Sequence, residues 1–260
     1  MRLQIKLFLA LCLLITTIAL PAQAAANQFV VIASNTNNNQ VPAGKAFSGD
    51  QSLSLVAGES VTLISQSGQV LNLQGPFSGA INKNNNGQKA PDNNQEDAKN
   101  WPSTLTKITK LVTKDSNRTA VIGASRNAIP VPGGTPDTTD DYWFMNVDSS
   151  GDRCVRTKDV MLWRDSPTKA IKIELRSQTA KRAGLMWGLH KFQMPLPSEF
   201  IKDGILVVMK IDQQPRRFNM HVLPEWIDEK KLGKVLLWMV NRNCTRQSQR
   251  LINTLQAENR

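Results

Sequence analysis

The residue types able to do chemistry in this 260-residue chain are few: three cysteines, two histidines and one Ser-x-x-Lys. Ser166-Pro167-Thr168-Lys169 matches the nucleophile motif of penicillin-recognising enzymes, which belongs at the start of a helix. Here Pro167 stands between two predicted strands, and neither Ser-Asp-Asn nor Lys-Thr-Gly follows, so chance is the better account of the match. His190 and His221 are isolated, and together with the cysteines they lack the ligand spacing of a zinc site. Asp137, Asp140 and Asp141 could suggest calcium but lack the regular ligands and closing Glu of an EF-hand. There is no G-x-S-x-G, Walker loop, H-E-x-x-H or G-x-G-x-x-G. The sequence therefore nominates no catalytic residue, no metal ligand and no cofactor.

Cysteine pairing is the chemistry that remains, and it depends on compartment. Arg2 and Lys6 precede the apolar run Leu7–Leu20, which is followed by Pro21 and the small residues Ala22–Ala26. That is the n-region, h-region and cleavage site of a signal peptide over residues 1–26, and the run is too short to span a bilayer comfortably. Cys12 leaves with it. In an oxidising compartment, expected here to be the periplasm, the remaining Cys154 and Cys244 are expected to form one disulfide, with two buried free thiols as the alternative. A loop of roughly 90 residues closed in this way stabilises by about 4–5 kcal/mol in the chain-entropy model.

Charge narrows the partners. Counting 32 basic against 21 acidic residues gives +11, and losing Arg2 and Lys6 leaves 30 against 21, or +9. Such a surplus favours anionic surfaces: lipid headgroups, wall polymers or acidic proteins. Nucleic acid is a poor candidate outside the cytoplasm, and no second apolar run is long enough to be a membrane span in the mature chain. Many exported proteins are basic without an anionic ligand.

The elements that must position these residues are mostly strands. Gln28–Ser34 reads as a strand, and Leu53, Leu55, Val61, Leu63, Leu71 and Leu73 all fall on odd positions. That alternation, broken at Ala57-Gly58 and Ser67-Gly68, predicts a three-strand meander with one apolar face in a small β module over 27–80. Residues 82–100 are rich in Asn and lack any apolar side chain larger than Ala90 or Pro91, so 81–101 reads as a linker. Ser103 then caps a predicted helix over 102–116, with Lys107, Lys110 and Lys114 on a solvated side. From 137 to 257 a larger antiparallel β domain is expected, with strands at Tyr142–Val147, Ala170–Arg176, Ile205–Ile211 and Arg217–Leu223. Trp143, Trp163 and Trp187 read as its core or rim.

The chain is expected to end in one helix opened by Pro224 and Glu225, with Asp228 and Glu229 in its first turn and Arg242, Arg246 and Arg250 toward its C-terminal end, as the macrodipole prefers. Leu232, Leu236, Val240, Cys244, Leu251 and Leu255 form a stripe at helical spacing, so Cys244 faces the body of the protein. Arg242, Arg246 and Arg250 lie roughly 200° away, on the wet side. The fold class expected is mainly β with two helices: a small N-terminal antiparallel module and a larger sandwich-like domain ending in an α-helix.

The order of residues in Lys45–Gly79, KAFSGDQSLSLVAGESVTLISQSGQVLNLQGPFSG, is similar in texture to the β repeats of FecR-type envelope domains. More widely the chain resembles a family of secreted proteobacterial proteins in which such a module precedes a second domain ending in a helix. Asp152–Arg164 and Asn243–Leu255 are the stretches that carry this likeness. The resemblance implies architecture and export, and no catalytic residues. The expected role is a non-catalytic envelope protein, a binding, assembly or sensing accessory that meets an anionic partner through Arg242, Arg246 and Arg250. The competing readings are a wall hydrolase with its site near Trp163 and Ser166, and a carbohydrate-binding module using exposed tryptophans.

Overall fold

The computed structural model of the chain describes residues 27–36, 41–84, 95–122 and 141–257. The expected leader, most of the Asn-rich stretch, and Asp137 and Asp140 lie outside them, as do the side chains of Lys114 and Asp141.

Strand β1 (Gln28–Asn35) lies between β2 (Ala46–Ser48) and β4 (Ser60–Ser65), and β5 (Val70–Gln74) completes this sheet. The expected three-strand meander is corrected in one respect: β3 (Ser52–Leu55) leaves the sheet and pairs instead with β6 (Phe77–Ala80). The odd-numbered residues Leu53, Leu55, Val61, Leu63 and Leu73 do share one core, with Phe29, Val31 and Ile81. The opposite face is covered as well, because Val30, Ile32 and Ile64 enter a second core formed with helices. The unbroken run Phe29–Ile32 is the mark of a strand buried on both sides. Ile32 is the extra residue of a β-bulge between Val31 and Ala33, and its carbonyl accepts a 2.6 Å bond from Gln256 Nε2.

Three helices make that second core. Helix α1 runs Gln95–Ile122, so it begins seven residues before the expected 102 and contains Pro102 in its interior. Ser103 is not its cap: it sits inside the helix with its hydroxyl donating to the Asn100 carbonyl at 2.8 Å. Trp101, Ile108 and Val112 are the buried stripe. Among the lysines read as a solvated face, Lys107 instead donates to Asn243 Oδ1 at 2.9 Å.

The expected single C-terminal helix is two. Residues from Pro224 to Lys231 form turns, α2 runs Leu232–Asn241, and α3 runs Thr245–Ala257. Asp228 serves a turn, accepting from Lys230 N at 3.0 Å, and not a first helical turn. The break is a Schellman cap: Cys244 N donates to Met239 O at 2.9 Å and Asn243 N to Val240 O at 3.2 Å. Asn243 holds the left-handed position at φ 58°, where Asn is tolerated next after Gly. The apolar stripe survives the break, since Leu236, Val240, Cys244, Leu251 and Leu255 are all buried. The ladder of hydrogen bonds restarts when Ser248 N donates to Cys244 O at 2.9 Å.

The first turn of α2 docks on the turn between β4 and β5 by backbone contact. A Cβ built on Gly233 would lie 2.2 Å from the Gly68 carbonyl oxygen, so alanine does not fit there. Gly233→Ala is expected to destabilise by about 1–3 kcal/mol, the usual cost of overpacking, read as a lowered urea midpoint.

The larger β domain pairs a five-stranded sheet with a three-stranded one. The first has the order β11 (Lys181–Trp187), β10 (Ile171–Arg176), β13 (Leu206–Ile211), β14 (Gln214–Val222), β8 (Gly151–Val155). The second is β12 (Gln193–Pro195), β9 (Met161–Trp163), β7 (Met145–Asn146). Ile171, Ile173 and Leu175 enter the shared core while Lys172 and Arg176 stay outside, as the alternation predicts. Two pairings, β8 with β14 and β7 with β9, are parallel, which departs from the all-antiparallel expectation. The mainly β class, with its C-terminal helix, stands.

Candidate functional site

Cys154 on β8 and Cys244, at the start of α3, bring their sulfurs to 2.06 Å across a sequence separation of 90. Their neighbours in sequence line a common cleft: Asp152 and Arg153 from the strand, Arg246, Gln247 and Arg250 from the helix, with Phe144 and Asn146 closing it. The staple thus fixes the two elements that carry the arginines.

Period-2 alternation puts Cys154 on the helix side of β8 and Arg153 on the other, inward side. Arg153 is 5 % exposed. Its guanidinium donates from Nε to Asn146 O at 3.0 Å, from Nη1 to Asp152 O at 2.8 Å, and from Nη2 to the Ser149 carbonyl. It also lies over the Phe218 ring at 5.1 Å. Burial, then the charge of Arg246, push Arg153 down to about 10, with Asp152 pulling the other way.

Asn146 is the hub. Its Oδ1 accepts from Arg246 Nη1 at 2.8 Å and from Asp148 N at 3.1 Å. Its Nδ2 donates to Asp148 Oδ2 at 3.0 Å and to Asp165 Oδ1 at 3.1 Å. Asp152 is engaged by His221 Nε2 at 3.0 Å and Asn219 Nδ2 at 3.3 Å. Among the described residues, three arginines and one carboxylate, the partnered Asp152, line the cleft. Arg246 stands in the first turn of α3, not near a helix C-terminus as expected, so its charge adds to the positive end of the helix dipole. The cleft encloses about 10 Å³, room for one water-sized atom.

The expected contact residues divide. Arg246 and Arg250 meet at this cleft, whereas Arg242 is exposed at the end of α2 and does not line it. Arg153, Asn146 and Asp152 were not singled out from sequence. The one usable signal was an arginine at an inward strand position beside a cysteine.

Among the described residues, the hydrolase and zinc arrangements weighed from sequence do not assemble. Ser166 is exposed, and its hydroxyl meets the Thr168 hydroxyl at 3.5 Å with no base beside it among the described residues. The segment is a loop between β9 and β10, not a helix start, and Lys169 pairs with Asp212. Trp143, Trp163 and Trp187 are buried, whereas Trp226 is 68 % exposed. Trp163 is stacked between Phe144 and Phe192, with centroids at 6.0 and 5.1 Å, so its faces are not open to a sugar. Among the described residues no group of His, Cys, Asp and Glu could hold a metal ion, and no helix is long and apolar enough to cross a membrane. No family model, curated protein or solved structure matches the chain.

Proposed function

We propose that this protein is an exported, non-catalytic accessory of the cell envelope that binds an anionic group on a larger partner through Arg246 and Arg250, above the buried Arg153. The observation that carries this reading is that, among the described residues, three arginines and one acid line the cleft, with Arg246 in the first turn of α3. Arg153 is fully bonded to carbonyls of Asn146, Asp152 and Ser149, so it contributes a fixed positive charge to the lining that Arg246 and Arg250 share. The size of the cleft bears on the partner. An oxygen of a carboxylate or phosphate can enter, but a whole phosphate cannot be engulfed, so the anion belongs to a wall polymer, a lipid surface or an acidic protein that stays outside. Compartment enters through the cysteine pair and the leader, both of which fit the periplasm.

Replacing Arg246 and Arg250 together by Ser tests the reading by co-sedimentation with purified envelope fractions. Each charge-assisted bond contributes about 1.5–3 kcal/mol, so the double variant is expected to lose retention at least about tenfold, while its melting temperature falls by no more than the loss of the Arg246–Asn146 bond accounts for. Arg242→Ser alone is expected to retain like wild type. Equal retention by wild type and the double variant refutes the proposal.

A further inference from the structure

A second cleft is lined by Val147 and Asp148, the residues that follow Asn146. It encloses about 380 Å³, at the small end of the range for pockets that hold small molecules, about 300–1,000 Å³. Val147 and Ile211 supply its apolar part, and Asp148, Lys169, Asp212, Gln214 and Arg216 supply polar groups. Two carboxylates and two cations cancel. A ligand of one sign gains nothing net from such a lining, whereas a ligand with both signs gains from both. None of the lining residues is aromatic, so the stacking platform of a sugar site is missing.

The polar groups are held in place from behind. One oxygen of Asp148 is fixed by Asn146 Nδ2 at 3.0 Å and by Asp165 N at 2.8 Å, which leaves its other oxygen for the cleft. The Lys169 carbonyl accepts from the buried Arg164 at 2.9 Å, an anchor that also grips Gly188 O and Lys191 O. Arg216 Nη2 donates to Gln214 Oε1 at 3.3 Å. Asp212 lies in a two-residue turn closing the β13–β14 hairpin, where Ile211 pairs with Gln214. Both turn residues are left-handed, Asp212 at φ 47° and Gln213 at φ 69°. This turn type ordinarily takes Asn-Gly or Asp-Gly, and a Gln at the second position costs about 1 kcal/mol or more. Backbone strain is thus kept at the wall of the cleft.

We infer that this cleft binds a small zwitterion of the amino-acid or short-peptide class, its ammonium on Asp148 and its carboxylate on Arg216. The Lys169–Asp212 pair flanks the ligand and selects against a second free charge of either sign. The test is calorimetric titration of the full chain with L-alanine and with the dipeptide alanylalanine, beside propionate and ethylamine as single-charge controls. At least one zwitterion is expected to half-saturate below about 1 mM, with both controls at least about tenfold weaker. Asp148→Asn and Arg216→Gln, neither in the core, are each expected to weaken that binding at least about tenfold while the melting temperature stays put. Absence of binding by both zwitterions overturns the inference. So does binding of propionate or ethylamine at equal strength, or full binding by both variants. Envelope co-sedimentation is a separate readout, so failure here leaves the arginine cleft to stand or fall by its own test.

Discussion

Opening the bridge between Cys154 and Cys244, by reductant or by replacing both with Ala, is expected to lower the melting temperature by about 8–20 °C. The range follows from about 4–5 kcal/mol for a loop of this length and about 2–4 °C per kcal/mol for chains of 150–250 residues. The bridge joins β8 to the start of α3, and α3 buries Leu251, Ile252 and Leu255 in the core it shares with β1 and α1. Loss of the staple therefore loosens the N-terminal sheet as well as the cleft. Calorimetric scans with and without reductant, beside the double-alanine variant, check this. A shift of less than 2 °C contradicts it on the same scale.

Gln247 is the second residue whose loss is expected to be severe. It is 3 % exposed, and its carboxamide does the work of a neighbouring strand along the free edge of β8. Oε1 accepts from Cys154 N at 2.8 Å, and Nε2 donates to Cys154 O at 2.5 Å and to Tyr142 O at 3.1 Å. Gln247→Met leaves one buried donor and two buried acceptors without their partner. At about 1–3 kcal/mol for each such group, a loss of about 3 kcal/mol or more is expected, measured by urea unfolding. Gln247→Glu separates hydrogen bonding from shape. Its carboxylate can accept from Cys154 N but meets two carbonyl oxygens at hydrogen-bond distance. Arg153, Arg246 and Arg250 line the same cleft without bonding Gln247, so the direct contacts prevail and the folded pKa is raised above the unfolded value of about 4.3. The sign follows: this variant is most stable below that value and loses stability as pH rises through the folded pKa. A pH-independent penalty contradicts the assignment.

Much of the architecture is legible in the sequence because it rests on periodicity. The alternation of Ile171, Ile173 and Leu175 sets a strand, the stripe from Leu236 to Leu255 sets a helical face, and two distant cysteines set a staple. What was not legible depends on groups that meet only after folding. The departure of β3 to pair with β6 leaves the odd-position pattern intact, so the pattern cannot reveal it. The helix break at Asn243 leaves the apolar stripe in phase, and only Asn243 itself, a residue suited to a left-handed cap, marks it. The extension of α1 back past Pro102 runs against the rule that proline ends or opens a helix, and burial of Trp101 and Ile108 prevails over that preference. The same limit applies at the cleft. Arg246 and Arg250 could be assigned to one helix face, but Arg153 and Asn146 come from other elements, brought there by the staple and by strand pairing.

On the proposed reading, charge at this cleft, held by the stapled β8 and α3, makes the contact with an anionic partner. The most direct measurement is the affinity of the oxidised full chain for envelope fractions across rising salt, with the Arg246→Gln, Arg250→Gln double variant alongside. Exposed ionic contacts weaken as the screening length falls from about 30 Å at 0.01 M to about 8 Å at 0.15 M. The wild-type affinity is therefore expected to fall steeply over that interval, while the variant binds weakly throughout with a nearly flat response. Two parallel curves of equal height would contradict the account.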